Sequence, residues 1–219
     1  MTFSLAGRCA VTGMMGAVVT TSSPAVGSRC LHARAGVGVV LSQFWTDPRL
    51  GPRGLALLAE GCPAGHVVRA LAASTPDEDW RQFAVLGPMG AGAHHHGARV
   101  KPGLGAAYGS DSVAIGNILV SDAIPGRMVE AFEASTAAFP ERLLAALDAG
   151  EAAGGEGRPL VSAALLVVHE AAFPYVDLRV DADPAPLPAL RRVWQAYAPF
   201  IDLYAGRALD PNAQPPNVG

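Results

Sequence analysis

Segments with the apolar patterns of strands and of helices occur in groups along this chain and do not alternate one by one. Strand-like stretches come first, then two helix-like stretches, more strands, two helices, two strands and a last helix. A doubly wound parallel sheet requires alternation, whereas grouped strands and grouped helices are typical of α+β folds. The order therefore predicts an α+β domain with layered sheets that are covered by helices.

The individual stretches are short and rich in glycine, alanine and valine. Strands are predicted at residues 3–9, 14–20 and 35–45, in a hairpin formed by WRQFAVLG and GAHHHGARV, in SDSVAIGNILV up to about Asn117, and in VSAALLVVHE and YVDLRV. Helices are predicted at residues 55–61 and 64–74, around Met128 and Leu143, and over a final apolar face from Leu190 to Tyr204. Since 50% of the 219 residues are hydrophobic, we expect one domain over residues 2–205 and a flexible tail over residues 206–219.

Charge and composition exclude several classes of partner. The formal net charge is −3, Lys101 is the only lysine, and no basic run exists, so a nucleic-acid-binding surface is not expected. No apolar run reaches the roughly 20 residues that span a bilayer. We therefore expect a small-molecule substrate as partner, without nucleic acid or membrane.

The three cysteines, Cys9, Cys30 and Cys62, are sparse and odd in number, which is typical of reduced thiols in a cytoplasmic protein. One alternative is a signal peptide, because the apolar residues 10–19 follow Arg8. Two glycines interrupt that run, and no small-x-small cleavage site follows it. The expected location is the cytoplasm.

Thr2 is a candidate nucleophile, provided that Met1 is removed. Aminopeptidases remove methionine before small residues, and the product would carry a hydroxyl and a free α-amine on one residue. An α-amine with a pKa of about 8 can accept the hydroxyl proton, as in N-terminal threonine nucleophiles. The alternative is an ordinary threonine at the start of a strand.

A polar cluster supports the first interpretation. Thr20, Thr21, Ser22 and Ser23 follow the second predicted strand. If the first two strands form a hairpin with its turn at Gly13, this cluster lies at the end where Thr2 begins. The alternative is a loop whose hydroxyls cap nearby backbone groups.

Two amide side chains are candidates for substrate or oxyanion binding. Gln43 lies within the strand VVLSQFW, where a buried amide must hydrogen-bond. Asn117 follows Gly116 at a strand end and could donate to a developing oxyanion. A solvent-facing strand position for Gln43 and a turn position for Asn117 are the alternatives.

Three consecutive histidines form a weaker candidate. In a strand, His94 and His96 lie on one face and His95 on the other. Two histidines on one face can hold a metal, but such a site needs three or four ligands and the sequence offers no obvious further ligand. No metal or other cofactor is therefore expected.

The blocks TFSLAGRC, AVGSRCLHARAGVGVVLSQ, GPRGLALLAEG, GNIL and RLLAALDAGEAAGGEGR occur in an order that resembles one bacterial and archaeal family. This is the domain-of-unknown-function family 1028, placed among the N-terminal-nucleophile (Ntn) hydrolases. The resemblance runs from Thr2 to about Tyr204. It implies a four-layer αββα sandwich like that of proteasome subunits, with Thr2 as nucleophile in the cleavage of an amide, ureido or peptide-like C–N bond.

The resemblance also implies roles for the neighbouring residues. Thr21, Ser22 and Ser23 would position groups and relay protons, while Gln43 and Asn117 would donate to the oxyanion or the substrate. A homodimer or larger homo-oligomer is expected, because outer helices in Ntn folds often pack against a second copy.

The chain departs from the family pattern at four places, which include Asp47 where Asn is frequent and the run Pro159-Leu160-Val161 where a more polar run is common. It has Ser22 where many members carry Lys or Arg, and it has histidines before Gly97 where a small hydroxyl residue is usual. These departures leave a non-catalytic binding or assembly protein as the first alternative. A metal-assisted hydrolase that uses His94 and His96 is the second.

Overall fold

The computed structural model of the protein describes residues 2–100 and 103–212. The strands are β1 (Thr2–Arg8), β2 (Met15–Thr21), β3 (Leu31–Arg34), β4 (Gly38–Phe44), β5 (Arg81–Leu86), β6 (Ala93–His96), β7 (Gly105–Tyr108), β8 (Ser112–Asn117), β9 (Ser162–Val168) and β10 (Val176–Val180). The helices are α1 (Leu50–Ala59), α2 (Ala64–Ser74), α3 (Ile124–Ala134), α4 (Phe139–Ala152), α5 (Pro186–Tyr197) and α6 (Ile201–Leu209).

The strands form two antiparallel sheets. Sheet A has the order β10-β9-β2-β1-β8-β7, and sheet B has the order β3-β4-β5-β6. The predicted hairpin of the first two strands is present, with Phe3 opposite Thr20. On its other side β1 pairs with β8, so that Thr2 lies opposite Asn117. The first strand of the chain is therefore central in its sheet. The mixed α/β class with two antiparallel sheets agrees with the grouped order of the sequence.

Three clusters of buried apolar side chains hold these elements together. The first joins sheet A to α3, α4 and α5, and includes Phe3, Leu165 and Leu190. The second, which includes Val19 and Leu41, joins residues of both sheets. The third joins sheet B to α1 and α2. Each sheet thus buries one face against helices, while other residues of both sheets share a cluster.

The alternation of side chains along β1 connects this packing to the candidate site. Phe3 and Leu5 belong to the cluster with the helices, whereas Ala6 belongs to the cluster shared by the sheets. Because side chains alternate along a strand, Thr2 and Ser4 lie on the same face as Ala6, toward sheet B. Apolar packing of Phe3 and Leu5 therefore determines where the Thr2 hydroxyl points.

Helix α4 approaches β1 very closely at a glycine. A Cβ atom added to Gly150 would lie 2.9 Å from Phe3 Cε2 and 3.0 Å from Met128 Cγ. A side chain at this position would therefore push on the ring of the residue that follows Thr2.

Some elements differ from the sequence predictions. β3 and β7 were not predicted. They have four residues each and form edges of their sheets, and so short a stretch gives little periodic signal. α1 begins at Leu50 rather than at residue 55, because Pro52 lies in the first turn, where proline is tolerated. The prediction of a single last helix is wrong, since a 3-10 turn around Pro199 separates α5 from α6.

The predicted tail lies only partly within the described residues. α6 continues to Leu209, so the first four residues of the predicted tail are helical, while residues 213–219 lie outside the described part.

Cys9, Cys30 and Cys62 are all free thiols. Across the described ranges, no helix combines the length and apolar character needed to cross a bilayer.

Candidate functional site

Buried polar side chains from both sheets meet at one end of the space between the sheets. Strand alternation places them on the facing surfaces of the two sheets. They come from three strands of sheet A and two strands of sheet B: Thr2, Ser4, Thr21, Asn117, Gln43 and Gln82. Burial of so many polar groups is costly unless they are hydrogen-bonded.

Thr2 is the first residue of β1 and is only 6% exposed. Its Oγ1 donates a hydrogen bond of 3.3 Å to Oγ1 of Thr21 on β2. Its carbonyl oxygen accepts a long bond of 3.5 Å from Nε2 of Gln43 on β4. The structure therefore brings Thr2, Thr21 and Gln43 together, although 19 and 41 positions separate the latter two from Thr2 in sequence.

Gln82 on β5 is the centre of an amide network. Its Oε1 accepts from Gln43 Nε2 at 2.6 Å and from Asn117 Nδ2 at 2.7 Å. Its Nε2 donates to the carbonyl oxygen of Gly116 at 2.8 Å, and Ser4 Oγ donates to Gln43 Oε1 at 2.6 Å. The network therefore bridges β4 and β5 of sheet B to β1 and β8 of sheet A.

The network bears on the two predicted amide donors. Both N–H bonds of the Gln43 side chain have protein acceptors, so donation to an oxyanion would require one of them to be released. Asn117 uses one N–H on Gln82, and its Oδ1 is buried without a hydrogen-bond partner in the described part of the chain. Their roles as oxyanion or substrate donors stay predictions.

A cavity of about 650 Å³ opens beside this polar end. It is lined by Ser22 and Ser23 after β2, by residues 118–120 after β8, and by Gly157 and Arg158. The structure therefore places Ser22 and Ser23, which directly follow Thr21, on the wall of this cavity.

Two residues with strained backbone follow the amides of the network. Phe44 directly follows Gln43 and has φ 67°, and Ile118 directly follows Asn117 and has φ 53°. Positive φ is rare for such residues, and for a β-branched residue such as Ile118 it is a genuine outlier. Strain of this kind persists where the surroundings impose it, and it is concentrated at functional sites.

Glu156 is a site residue that the sequence analysis did not select. It lies between α4 and β9, is 8% exposed, and accepts a bond of 3.1 Å from the backbone N–H of Ser22 at Oε2. Burial raises the pKa of its carboxyl, and its Oε1 is buried with no hydrogen-bond partner in the part of the chain that is described. Its sequence context, a glycine-rich break after a helix, gave no sign of burial.

Two other contributors were missed. Ser162 Oγ, at the start of β9, donates to the carbonyl oxygen of Ser23 at 2.6 Å and accepts from the N–H of Val26 at 3.1 Å. Gln82 lies opposite Gln43 in the register of β4 and β5. A second buried amide within an apolar strand was the one signal that could have revealed it.

The histidines of β6 form a separate cluster at the end of sheet B. The rings of His94 and His96 lie 4.4 Å apart between centroids, which agrees with their predicted shared face, and His94 Nδ1 contacts the hydroxyl of Tyr108. Burial lowers the pKa of His96 to about 4. Over residues 2–100 and 103–212, no three histidine, cysteine, aspartate or glutamate side chains are grouped so as to hold a metal ion.

Comparison with known structures gives a close similarity to a protein of known structure. Protein SPO2555 from Silicibacter pomeroyi, a DUF1028 protein with a crystal structure, is 33% identical with a TM-score of 0.83, over 90% of this chain and 88% of that one. Anbu (ancestral beta-subunit) from Yersinia bercovieri aligns over 99% of both chains, but at 13% identity and a TM-score of 0.43, too little to support an argument.

No curated protein matches the chain significantly. The model of one family, described as a family of unknown function (DUF1028), matches residues 2–190. This match covers most of the 219 residues, and the similarity to SPO2555 is consistent with it. The chain therefore belongs to the DUF1028 family.

Proposed function

We propose that this protein is an N-terminal-nucleophile hydrolase that cleaves a C–N bond in a small amide, ureido or peptide-like metabolite. Thr2 is the nucleophile after Met1 has been removed. The observation that carries the proposal is the position of Thr2. It is buried at the start of a central strand, its hydroxyl contacts Thr21, and the residues that follow both neighbouring strands line a cavity large enough for a small metabolite.

The proposed reaction has two stages. Thr2 Oγ attacks the carbonyl carbon while the Thr2 α-amine accepts the hydroxyl proton. The tetrahedral intermediate collapses, the C–N bond breaks, and the α-ammonium returns a proton to the leaving amine. A water molecule, deprotonated by the same amine, then hydrolyses the acyl ester and regenerates Thr2. The reaction needs no cofactor.

The surrounding residues receive roles from their positions. Thr21 orients the Thr2 hydroxyl, and Ser22 and Ser23 relay protons or bind substrate at the cavity wall. Gln43 holds the Thr2 carbonyl oxygen and, with Asn117, supplies donors to the oxyanion or substrate. At the level of the fold, we propose that the three apolar clusters separate four layers of the αββα order that the family resemblance implies.

The main competing function is a non-catalytic binding or assembly protein with the same fold. Retention of Met1 would favour it, because the blocked amine could not act as a base. Metal-assisted hydrolysis through His94 and His96 is the weaker alternative. The two rings share a face, but they belong to no grouping of three ligands of the usual types in the described ranges.

The intact mass of untagged protein is the first test, and a mass that lacks Met1 is expected. Such protein is then screened against small amides, ureido compounds and dipeptides. We expect Thr2→Ala to abolish turnover, Thr2→Ser to retain part of it, and Thr12→Ala at an exposed turn to leave it unchanged. Retained Met1, or turnover that is unchanged in Thr2→Ala, would contradict the proposal.

A further inference from the structure

The register of sheet A defines what lies beyond the end of β1. Thr2 pairs with Asn117 of β8, and Phe3 pairs with Thr20 of β2. One position beyond Thr2 in this register, the neighbouring strands continue into Ile118 and Ser22. Both of these residues line the 650 Å³ cavity. An α-amine on Thr2 would therefore lie where β1 meets the cavity.

Glu156 reaches the same place from the connection between α4 and β9. Its Oε2 binds the N–H of Ser22, and its backbone forms an isolated bridge with Leu119. Gly155, the preceding residue, lies against Phe3, since an added Cβ would be 3.5 Å from Phe3 Cε1. Glu156 and its neighbour thus contact residues at or beside the ends of β1, β2 and β8. These are the strand that begins with Thr2 and its two neighbours in the sheet.

The carboxylate of Glu156 has an unused oxygen in this position. Its Oε1 is buried and has no hydrogen-bond partner among the described residues. Arg158 is the ionisable side chain of the described cavity lining, and it forms no ion pair with Glu156 in that part of the chain. A buried carboxylate is stabilised by a positive partner and is costly without one.

We propose that Glu156 is a positioning residue that binds the α-amino group of Thr2 through Oε1, once Met1 has been removed. This inference rests on the proposed function. This contact holds the amine beside the Thr2 hydroxyl. It becomes an ion pair when the amine accepts the hydroxyl proton, and so stabilises the positive charge that forms. Glu156 would thereby provide an anionic counterpart to the reacting amine without contacting the substrate.

The test measures the ionisation of the amine directly. Protein that begins at Thr2 is released from a cleavable N-terminal fusion, so that natural removal of Met1 is not needed. Reductive methylation with ¹³C-formaldehyde then labels two groups, the α-amine and the side chain of Lys101, the only lysine. The pH dependence of each dimethylamine NMR signal gives the pKa of that group.

We expect Glu156→Gln to lower the pKa of the α-amine by about one unit, because an adjacent carboxylate favours the charged amine. Glu151→Gln is the matched control, since it removes the same charge at an exposed position five residues away and should leave the pKa unchanged. Glu156→Asp keeps the charge on a shorter side chain, should give an intermediate value, and replaces Glu156→Gln if that variant does not fold.

An α-amine pKa that is the same in wild type, Glu156→Gln, Glu156→Asp and Glu151→Gln would overturn the inference. The two proposals fail in different ways. A lowered pKa in a protein whose Thr2→Ala variant turns over substrate like wild type would retain the ion pair and reject the Thr2 mechanism. Loss of turnover in Thr2→Ala with an unchanged pKa in Glu156→Gln would support the Thr2 mechanism and reject the contact between Glu156 and the amine.

Discussion

At the scale of single residues, the polar end between the sheets depends on side chains that satisfy one another. Gln82 Oε1 is the shared acceptor for the side-chain amides of Gln43 and Asn117, and Gln82 Nε2 donates to the carbonyl oxygen of Gly116. Since all three side chains are buried, removing the central amide would leave several buried groups without partners. Gln82 should therefore contribute to stability as well as to the geometry around Thr2.

We expect Gln82→Leu to lower the free energy of unfolding by about 2–4 kcal/mol, because the Gln43 and Asn117 amides lose their acceptor. Urea denaturation measures this loss. Gln195→Leu, the same substitution at an exposed position of α5, should change stability by no more than about 0.5 kcal/mol. Equal effects of the two substitutions would show that the network does not stabilise the fold.

The sequence predicted part of this site and missed the rest for identifiable reasons. The hairpin argument placed Thr2 beside Thr21 because the register of adjacent strands follows from their turn. Gln82 and Glu156 reach the site from sheet B and from the α4–β9 connection, and no local pattern indicates which distant elements will pack together. Long-range packing therefore decides which polar residues join a predicted nucleophile.

At the scale of secondary-structure elements, helix α4 limits where β1 can lie. Gly150 allows the helix backbone to approach the Phe3 ring, and Phe3 in turn is the neighbour of Thr2. A change in this helix should therefore affect the site without touching any of its polar groups.

We expect Gly150→Ala to destabilise the protein by about 1–3 kcal/mol, because the new methyl group overpacks the contact with Phe3 and Met128. Gly126→Ala in α3 is the matched control, since no atom lies within 4 Å of its added Cβ. The control should stabilise the helix by about 0.4–1 kcal/mol. Thermal or urea unfolding compares the two, and a stabilising Gly150→Ala would contradict the packing argument.

Strand β6 should make stability sensitive to acid. Burial lowers the pKa of His96 to about 4 and lowers that of His94 as well, with its neighbouring histidines adding to the effect. In the unfolded chain the two histidines become protonated near pH 6.5, whereas in the folded chain they become protonated only at lower pH. Stability should therefore be fully present above about pH 6.5 and fall as the pH drops toward 4.

We expect His96→Gln to reduce the stability lost between pH 7 and pH 4.5 by about 1–2 kcal/mol, a value that allows for screening of this half-buried ring. Urea unfolding at a series of pH values measures it. His66→Gln, at an exposed position of α2, should leave the pH dependence unchanged. An identical slope in wild type and His96→Gln would contradict the assignment.

The sequence predicted long elements better than short ones. α2 agrees with its predicted bounds, because eleven residues carry a clear helical pattern. β3 and β7 were missed because four residues at a sheet edge carry little signal. The break between α5 and α6 follows from Pro199, which an apolar stripe on both sides concealed.

At the scale of the whole molecule, several apolar side chains of α5, α6 and the turn between them are exposed and belong to none of the three apolar clusters. Val193, Phe200, Tyr204 and Leu209 are between 37% and 70% exposed, and the Phe200 and Tyr204 rings stack at 5.8 Å. Exposed apolar groups of this kind are typical of surfaces that pack against another protein.

We expect the protein to form a homodimer or larger homo-oligomer through this surface. Sedimentation should give at least twice the chain mass of 22.5 kDa, and Tyr204→Ser with Leu209→Ser should shift the protein toward the monomer. Val11→Ser, at an exposed turn far along the chain, is the control. A wild-type monomer at high concentration would contradict the prediction.

The central position of β1 also sets an order of events during synthesis. β1 leaves the ribosome long before one of its two neighbours, β8, which ends at Asn117. At 5–20 residues per second, that partner is complete on the order of ten seconds later. Once both neighbours pair, Thr2 is 6% exposed, and we expect an aminopeptidase to act on this end of the strand far more slowly. If Met1 is removed as proposed, the nascent chain must be processed within this interval, so maturation competes with folding and slow excision would leave a folded but permanently unprocessed population.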